Sequence, residues 1–433
     1  MNRPLSSLER VIWLIDQAVN QNWVMIARLS KTISEPVLRQ ALDIVQHRHP
    51  LLKCKFKDGE IPEFVTEGVP QIPLRVIAQT NEEQWMRVSD NELLEPFPWR
   101  EGPLLRVVLI NSASKSDLLL TVCHIIADGM SSLILMQNIL EVVDWISKGE
   151  SVIDEPVQPE LPSSLNLLQA GLKFPPEIFD FSGKIKRIFY KPVSLNGEQE
   201  NSPIDRKSHL IPKYISPADT KKLVSKSKIE RTTVHGAICA ALLQTIAAQI
   251  RSSQKVKKKG PLMLGCLSPI NIRPLFNRPM GEDIGNFISD ASHDQLVDEN
   301  ISLWDVSRRV KKALQREIKF GRDIKALQRI GSFLGKYETP LEMVTEICKF
   351  FPPVIVTNIG RIVIPEQIGD IKIEDLHYTA SITPAAKDGF GIIAFTYGGR
   401  LTLDFIYAEP FFTRNRAEIL IEGTLKRLKD AIT

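Results

Sequence analysis

The chain of 433 residues has no apolar run near the ~18–20 residues that a membrane-spanning helix needs; its densest stretches, Leu118–Val122 and Leu133–Met136, fall far short. No fixed-period repeat is present, which excludes solenoids and propellers. Cysteine is scarce: Cys54, Cys123, Cys239, Cys266 and Cys348 are widely spaced and none forms a Cys-x-x-Cys pair. That pattern predicts neither a disulfide framework nor a zinc site. There is no Gly-x-Ser-x-Gly elbow and no His-Glu-x-x-His, so neither a hydrolase triad nor a zinc-protease site is expected. The first ten residues lack the apolar core of a secretory leader, and a cytoplasmic location is expected. Charge of one sign is lacking too. Lys plus Arg is 55 against 51 for Asp plus Glu, a net +4, too even to argue for a nucleic-acid partner.

What is present is an ordinary globular composition, 43% hydrophobic and 24% charged, with enough chain for two or three domains. Helical and extended patterns alternate from end to end. Leu8, Val11, Ile12 and Ile15 share a helical face, Trp23–Leu29 reads as a strand, and Ser34 with Pro36 opens a helix that His49-Pro50 stops. Leu51–Phe56 reads as extended, and His47 and His49 as cations at a helix end. Pro103–Ile110 and Leu118–Cys123 read as a hairpin of buried strands, followed by a helix carrying Leu133, Met136, Ile139 and Leu140. Prolines from Pro156 to Pro203 mark a crossover segment, with a short amphipathic piece at Leu165–Leu172. The second half restarts at His209–Ile215; Ser216-Pro217 starts a helix, Thr233–Ile250 is a buried helix containing His235, and Pro261–Leu267 is a strand. Ile301–Phe320 reads as helix and Val354–Val356 as a strand ending in a Thr357–Gly360 loop. Gly398-Gly399 joins two strands as a tight hairpin, and a last helix covers Arg414–Ile432. The organisation expected is a lobe over residues 1–150, a crossover over 151–208 and a second lobe over 209–433.

The chemistry concentrates in His124-Ile-Ile-Ala-Asp128-Gly129, where a strand hands over to a helix. Strand ends present side chains to clefts, and Gly129 permits a tight turn that a β-carbon could block. An imidazole of ordinary pKa ~6.5 can accept a proton near neutral pH. A thioester brings its own activated carbonyl, so acyl transfer to a hydroxyl or amine asks for a base and for neither a metal nor a resident cofactor. Asp128 can orient the turn by pairing with a distant Arg. Cys123 alternates away from His124 and reads as a packed strand residue. The basic runs Lys255–Lys259 and Lys184–Arg187 read as solvated loops, with contact to donor phosphates as the alternative.

On these residues the chain resembles the condensation-domain superfamily of acyltransferases, which includes chloramphenicol acetyltransferase-like folds, and within it the stand-alone phthiocerol/phthiodiolone dimycocerosyl transferase-like enzymes. The motif Thr121-Val-Cys-His124-Ile-Ile-Ala-Asp128-Gly129-Met-Ser131 carries the likeness. Gly102–Ile110, Ala41–Leu52, Ser268–Pro274, Gly285-Asn286-Phe287, Val356–Gly360 and Thr396–Tyr407 support it in the same order along the chain. The resemblance implies an α/β fold of the α+β type: two lobes with mainly antiparallel sheets and an active-site channel between them. His124 would be the general base, Asp128 would pair with Arg273, Gly129 would give room, and Thr357 and Asn358 would line the channel. The implied reaction moves an acyl group from coenzyme A or an acyl carrier protein to a small alcohol in lipid or natural-product synthesis, without a cofactor. A monomer with no membrane contact is expected. Peptide-forming members carry a second His where Cys123 stands here, which favours ester over amide formation. An amide-forming enzyme and a non-catalytic module that docks carrier proteins are the alternatives.

Overall fold

The computed structural model describes residues 2–150, 157–168, 172–175, 190–195, 202–253, 260–349, 351–382 and 388–433. Two six-stranded sheets dominate it. The first has the strand order Gln367–Ile368, Ile371–Ala380, Asn22–Leu29, Ser116–Cys123, Leu105–Asn111, Leu74–Ala78. The second runs Ile288–Val297, Leu262–Asn271, Val354–Arg361, Phe390–Tyr397, Arg400–Glu409, Lys207–Ile215. Most neighbouring strands are antiparallel; the exceptions are Leu74–Ala78 with Leu105–Asn111, and Val354–Arg361 with both of its neighbours. The fold class expected from the resemblance is the one observed.

Strand alternation builds the layers. In Asn22–Leu29, Trp23, Met25, Ala27 and Leu29 enter the main core under the helices Glu35–Arg48 and Gly129–Ser147. Val24 and Ile26 face the opposite way, onto Trp85 and Val88 of helix Gln84–Leu94. A sheet covered on both faces reads as a continuous apolar run, which is why Ser116–Cys123 is buried throughout. In the second sheet, Ile392, Ala394, Leu403 and Phe405 pack under helices Val234–Ser252 and Arg414–Asp430. The alternate residues Ile393, Phe395, Ile406 and Ala408 join the first lobe's core instead. One apolar cluster therefore spans both lobes.

The lobes also exchange a strand. Ile371–Ala380 leaves the second half and pairs antiparallel with Asn22–Leu29, setting Tyr378 opposite Met25 and Ala380 opposite Trp23. The C-terminal span 209–433 thus supplies a central strand of the first sheet, and the second sheet begins at Lys207. In the crossover, Gln158 N–H donates to the Arg48 carbonyl of one lobe and Val193 N–H to the Met263 carbonyl of the other. The Leu165–Leu172 piece is a single turn, Ser164–Leu167, in its described part. Lys184–Arg187 and Lys255–Lys259 lie outside the described residues.

Three local expectations change. Leu51–Phe56 is a 3-10 turn, Pro50–Lys53, before a short strand Lys55–Lys57. Thr357 and Asn358 sit within the strand Val354–Arg361, which continues past them through a bulge at Asn358/Gly360. His49 is not a solvated cation: it is fully buried, its Nε2–H donates to Asn138 Oδ1 at 2.8 Å, and burial pulls its pKa down to about 4. Gly398-Gly399 does form the two-residue hairpin, with φ of 55° and 77°, the conformation that type I′ turns require and glycine supplies.

Candidate active site

The site begins where strand Ser116–Cys123 runs out. His124 N–H donates to the Gln21 carbonyl, and the chain turns into helix Gly129–Ser147 with Asp128 as its N-cap, accepting from Ser131 N–H at 2.8 Å. The His124 Nδ1–H donates to the Ala127 carbonyl at 2.9 Å. That bond fixes the tautomer and leaves Nε2 with its lone pair. The ring lies beside Trp23, centroids 5.6 Å apart. Burial lowers the imidazole pKa below its ordinary value, against opposing pulls from the Ala127 carbonyl and Asp128. The ring is therefore neutral at pH 7.

Asp128 and Arg273 meet across the lobes in a bidentate pair, Nη1 to Oδ2 at 2.7 Å and Nη2 to Oδ1 at 2.9 Å. Backbone N–H groups of Ser131 and Phe287 also donate to the carboxylate. Burial opposes ionisation of Asp128, yet the guanidinium and these donors win and hold its pKa below the usual carboxylate value. Arg273 further donates to Ser131 Oγ and lies over the Phe287 ring.

Gly129 does not have a left-handed backbone. A β-carbon there would stand 2.9 Å from the Trp23 indole and 3.2 Å from Ile359. Space for the indole, rather than freedom of the turn, is what asks for glycine. Thr357 and Asn358 line the same cavity as His124, and Asn358 Oδ1 accepts from Gly360 N–H across the bulge.

Sequence reasoning gave no role to Asn286, whose Nδ2 donates to the His124 carbonyl at 2.8 Å, or to Gly285, whose carbonyl accepts from Asp128 N–H and Ser131 Oγ. The only signal for either was their place in Gly285-Asn286-Phe287; the pairing itself spans more than 150 residues. Cys123 is buried in the first lobe's core with its thiol pKa raised well above normal by desolvation, as its alternation predicts.

The cavity, about 260 Å³, takes its walls from both lobes: Leu8, Val11 and Trp23 on one side, Leu267, Pro269 and Ile393 on the other. Among the described residues, one group could hold a metal ion. Cys239, Cys266 and His293 bring ligand atoms within 4.8 Å of one another. Their scatter along the chain gave no sign of it. Cys266 alternates away from Leu267 and Pro269, His293 stands opposite it on the neighbouring strand, and Cys239 comes from helix Val234–Ser252, so the group lies behind the cavity wall, where Ser268 bridges His235 at 2.9 Å and His293 at 3.2 Å.

Residues 4–161 match the condensation-domain family, and residues 213–406 match the family described as the phthiocerol/phthiodiolone dimycocerosyl transferase C-terminus. One of the linear gramicidin synthase subunits of Brevibacillus parabrevis is 30% identical over 162 residues, 34% of this chain but only 3% of that much longer protein. Polyketide synthase associated protein 5 from Mycobacterium tuberculosis superposes with a TM-score of 0.68 at 16% identity, covering 100% of this chain and 97% of its own. The first condensation domain of the calcium-dependent antibiotic synthetase, in complex with a substrate analogue, gives 0.70 at 15%, covering 100% and 96%. The first half of the chain thus matches the condensation-domain family, the second half matches the phthiocerol/phthiodiolone dimycocerosyl transferase C-terminus, and the whole length shares the fold of solved condensation domains.

Proposed function

We propose that this protein is an acyltransferase that moves an acyl group from a thioester, borne by coenzyme A or an acyl carrier protein, to a hydroxyl acceptor, with His124 as general base. The observation that carries this reading is the Nδ1–H bond to the Ala127 carbonyl, which leaves an unprotonated Nε2 in a cavity shared by both lobes. Nε2 takes the proton of the incoming hydroxyl as its oxygen attacks the thioester carbonyl. The tetrahedral intermediate collapses, the C–S bond breaks, and the thiolate recovers the proton from the imidazolium. No enzyme nucleophile enters: Cys123, the nearest thiol in sequence, points into the core and is held protonated by burial. Asp128, Gly129 and Arg273 act by position. Their pairing ties the turn that carries His124 to the second lobe. The work of the family matches in natural-product and lipid synthesis supports a carrier-bound donor.

The test is thioester-dependent ester formation by His124→Ala. Loss of a positioned base lowers the rate ~100- to 10,000-fold. A folded variant retaining the full rate removes His124 from the role. Offering matched alcohols and amines with one donor separates ester from amide formation. A protein that binds acyl carriers but turns over no thioester is a docking module instead.

A further inference from the structure

Among the described residues, four side chains that can carry charge line the cavity: His124, Asp128, Arg273 and Asp290. Three of them add up to nothing, because the imidazole is neutral and Asp128 and Arg273 cancel. Asp290 is the remainder. In strand Ile288–Val297 it stands opposite Pro269, and alternation turns Ile288 and Asp290 to the cavity while Ser289 points away to Asp323 at 2.7 Å. Its carboxylate has neither ion pair nor hydrogen bond among the described residues, although ion pairs are common elsewhere in the molecule. It is open to the cavity but enclosed by protein, and that desolvation alone pushes its pKa up to about 6, leaving it ionised at neutral pH. A carboxylate open to the cavity and without a protein partner is free to pair with a cation that a ligand brings.

We propose that Asp290 selects acceptors that carry a positively charged nitrogen away from the reacting hydroxyl. This rests on the acyl-transfer reading above. The charge sign points to the acceptor: coenzyme A and the carrier arm bring phosphates, which a carboxylate repels, and the acyl chain of a simple thioester is neutral. The spacing points to a remote contact. Asp290 lies four residues along the chain from Asn286, which holds the His124 carbonyl, and the last three of those residues are in strand Ile288–Val297. Asp290 is therefore a specificity residue and takes no part in proton transfer.

The experiment pairs α,ω-dimethylamino alcohols, whose nitrogen cannot form an amide, with alkanols of matched length. Binding is followed calorimetrically and turnover by ester formation. The parent protein is expected to bind the amino alcohol more tightly and to show the lower KM for it. Asp290→Asn is expected to raise that KM ~10- to 100-fold, the usual cost of losing a charged hydrogen bond, while kcat and the KM for the alkanol hold. Asp290→Lys is expected to reverse the preference toward hydroxy acids. A parent without preference for the cation, or a preference that survives Asp290→Asn, overturns the proposal. Binding is read with His124→Ala as well as with the parent, so failure of the acyl-transfer reading shows as absent turnover of both alcohols, separately from the outcome for Asp290.

Discussion

At the scale of single residues, the Ala127 carbonyl fixes which nitrogen of His124 can act, and burial fixes over what range. A general base works only when unprotonated. Because the imidazole pKa is lowered, activity is expected to persist as the buffer falls through 6.5 and to decline only at more acidic pH; a pH profile of kcat/KM with its inflection above 6.5 would contradict this assignment. Arg273→Ala leaves Asp128 as a buried, unpaired carboxylate. It is expected to cost about 3–5 kcal/mol of stability together with activity, read by denaturant unfolding and initial rates. Since the folded-state pKa of Asp128 is depressed, its contribution to stability is present above the ordinary carboxylate pKa and disappears as pH falls through the lower folded value. Of this site, the sequence showed His124, Asp128 and Gly129, because they are neighbours. Arg273 came from the family resemblance. Asn286 and Asp290 were silent, because what matters about each is a partner, or the lack of one, supplied by distant chain.

Elements were legible where burial is two-sided or periodic. Ser116–Cys123 and Val234–Ser252 are mostly apolar, and Ser216-Pro217 caps its helix as read, Ser216 Oγ accepting from Asp219 N–H. The strands Ile288–Val297 and Ile371–Ala380 escaped notice because both mix Asp and His into their alternation. Some of their polar groups are satisfied by partners from other elements, Ser289 by Asp323 and His377 by Asp404, whereas Asp290 faces the cavity without one among the described residues. The junction between strand and helix at Gly129 has its own prediction. Gly129→Ala must displace the Trp23 indole, which flanks His124, so it is expected to cost roughly 1–3 kcal/mol and to lower kcat. A crystal structure of that variant with the indole unmoved would show the fit to be looser than described.

For the whole molecule, the join between lobes is partly polar. His377, on the exchanged strand, is fully buried, stacks on Trp85 and bonds Asp404 of the second sheet at 2.9 Å, with Asp375 at 3.3 Å. Burial alone would lower its pKa, but the two carboxylates raise it to about 9. A raised folded-state value means that the stabilisation is complete below about 6.5 and is lost as pH rises through about 9. Unfolding free energy is expected to decline over that alkaline window in the parent and much less in His377→Ala, which starts from a lower plateau. Equal slopes would remove the imidazolium from the join.

The exchanged strand has a consequence for how ligands come and go. A hinge that swung the halves apart would have to strip His377 and the Tyr378 N–H of this strand from Asp404 of the second sheet, because the polypeptide is sewn through both sheets. Traffic must then pass by the rims while the seam stays shut. Amide hydrogens along that seam should exchange with deuterium only on global unfolding, as slowly as those in the middle of Ser116–Cys123.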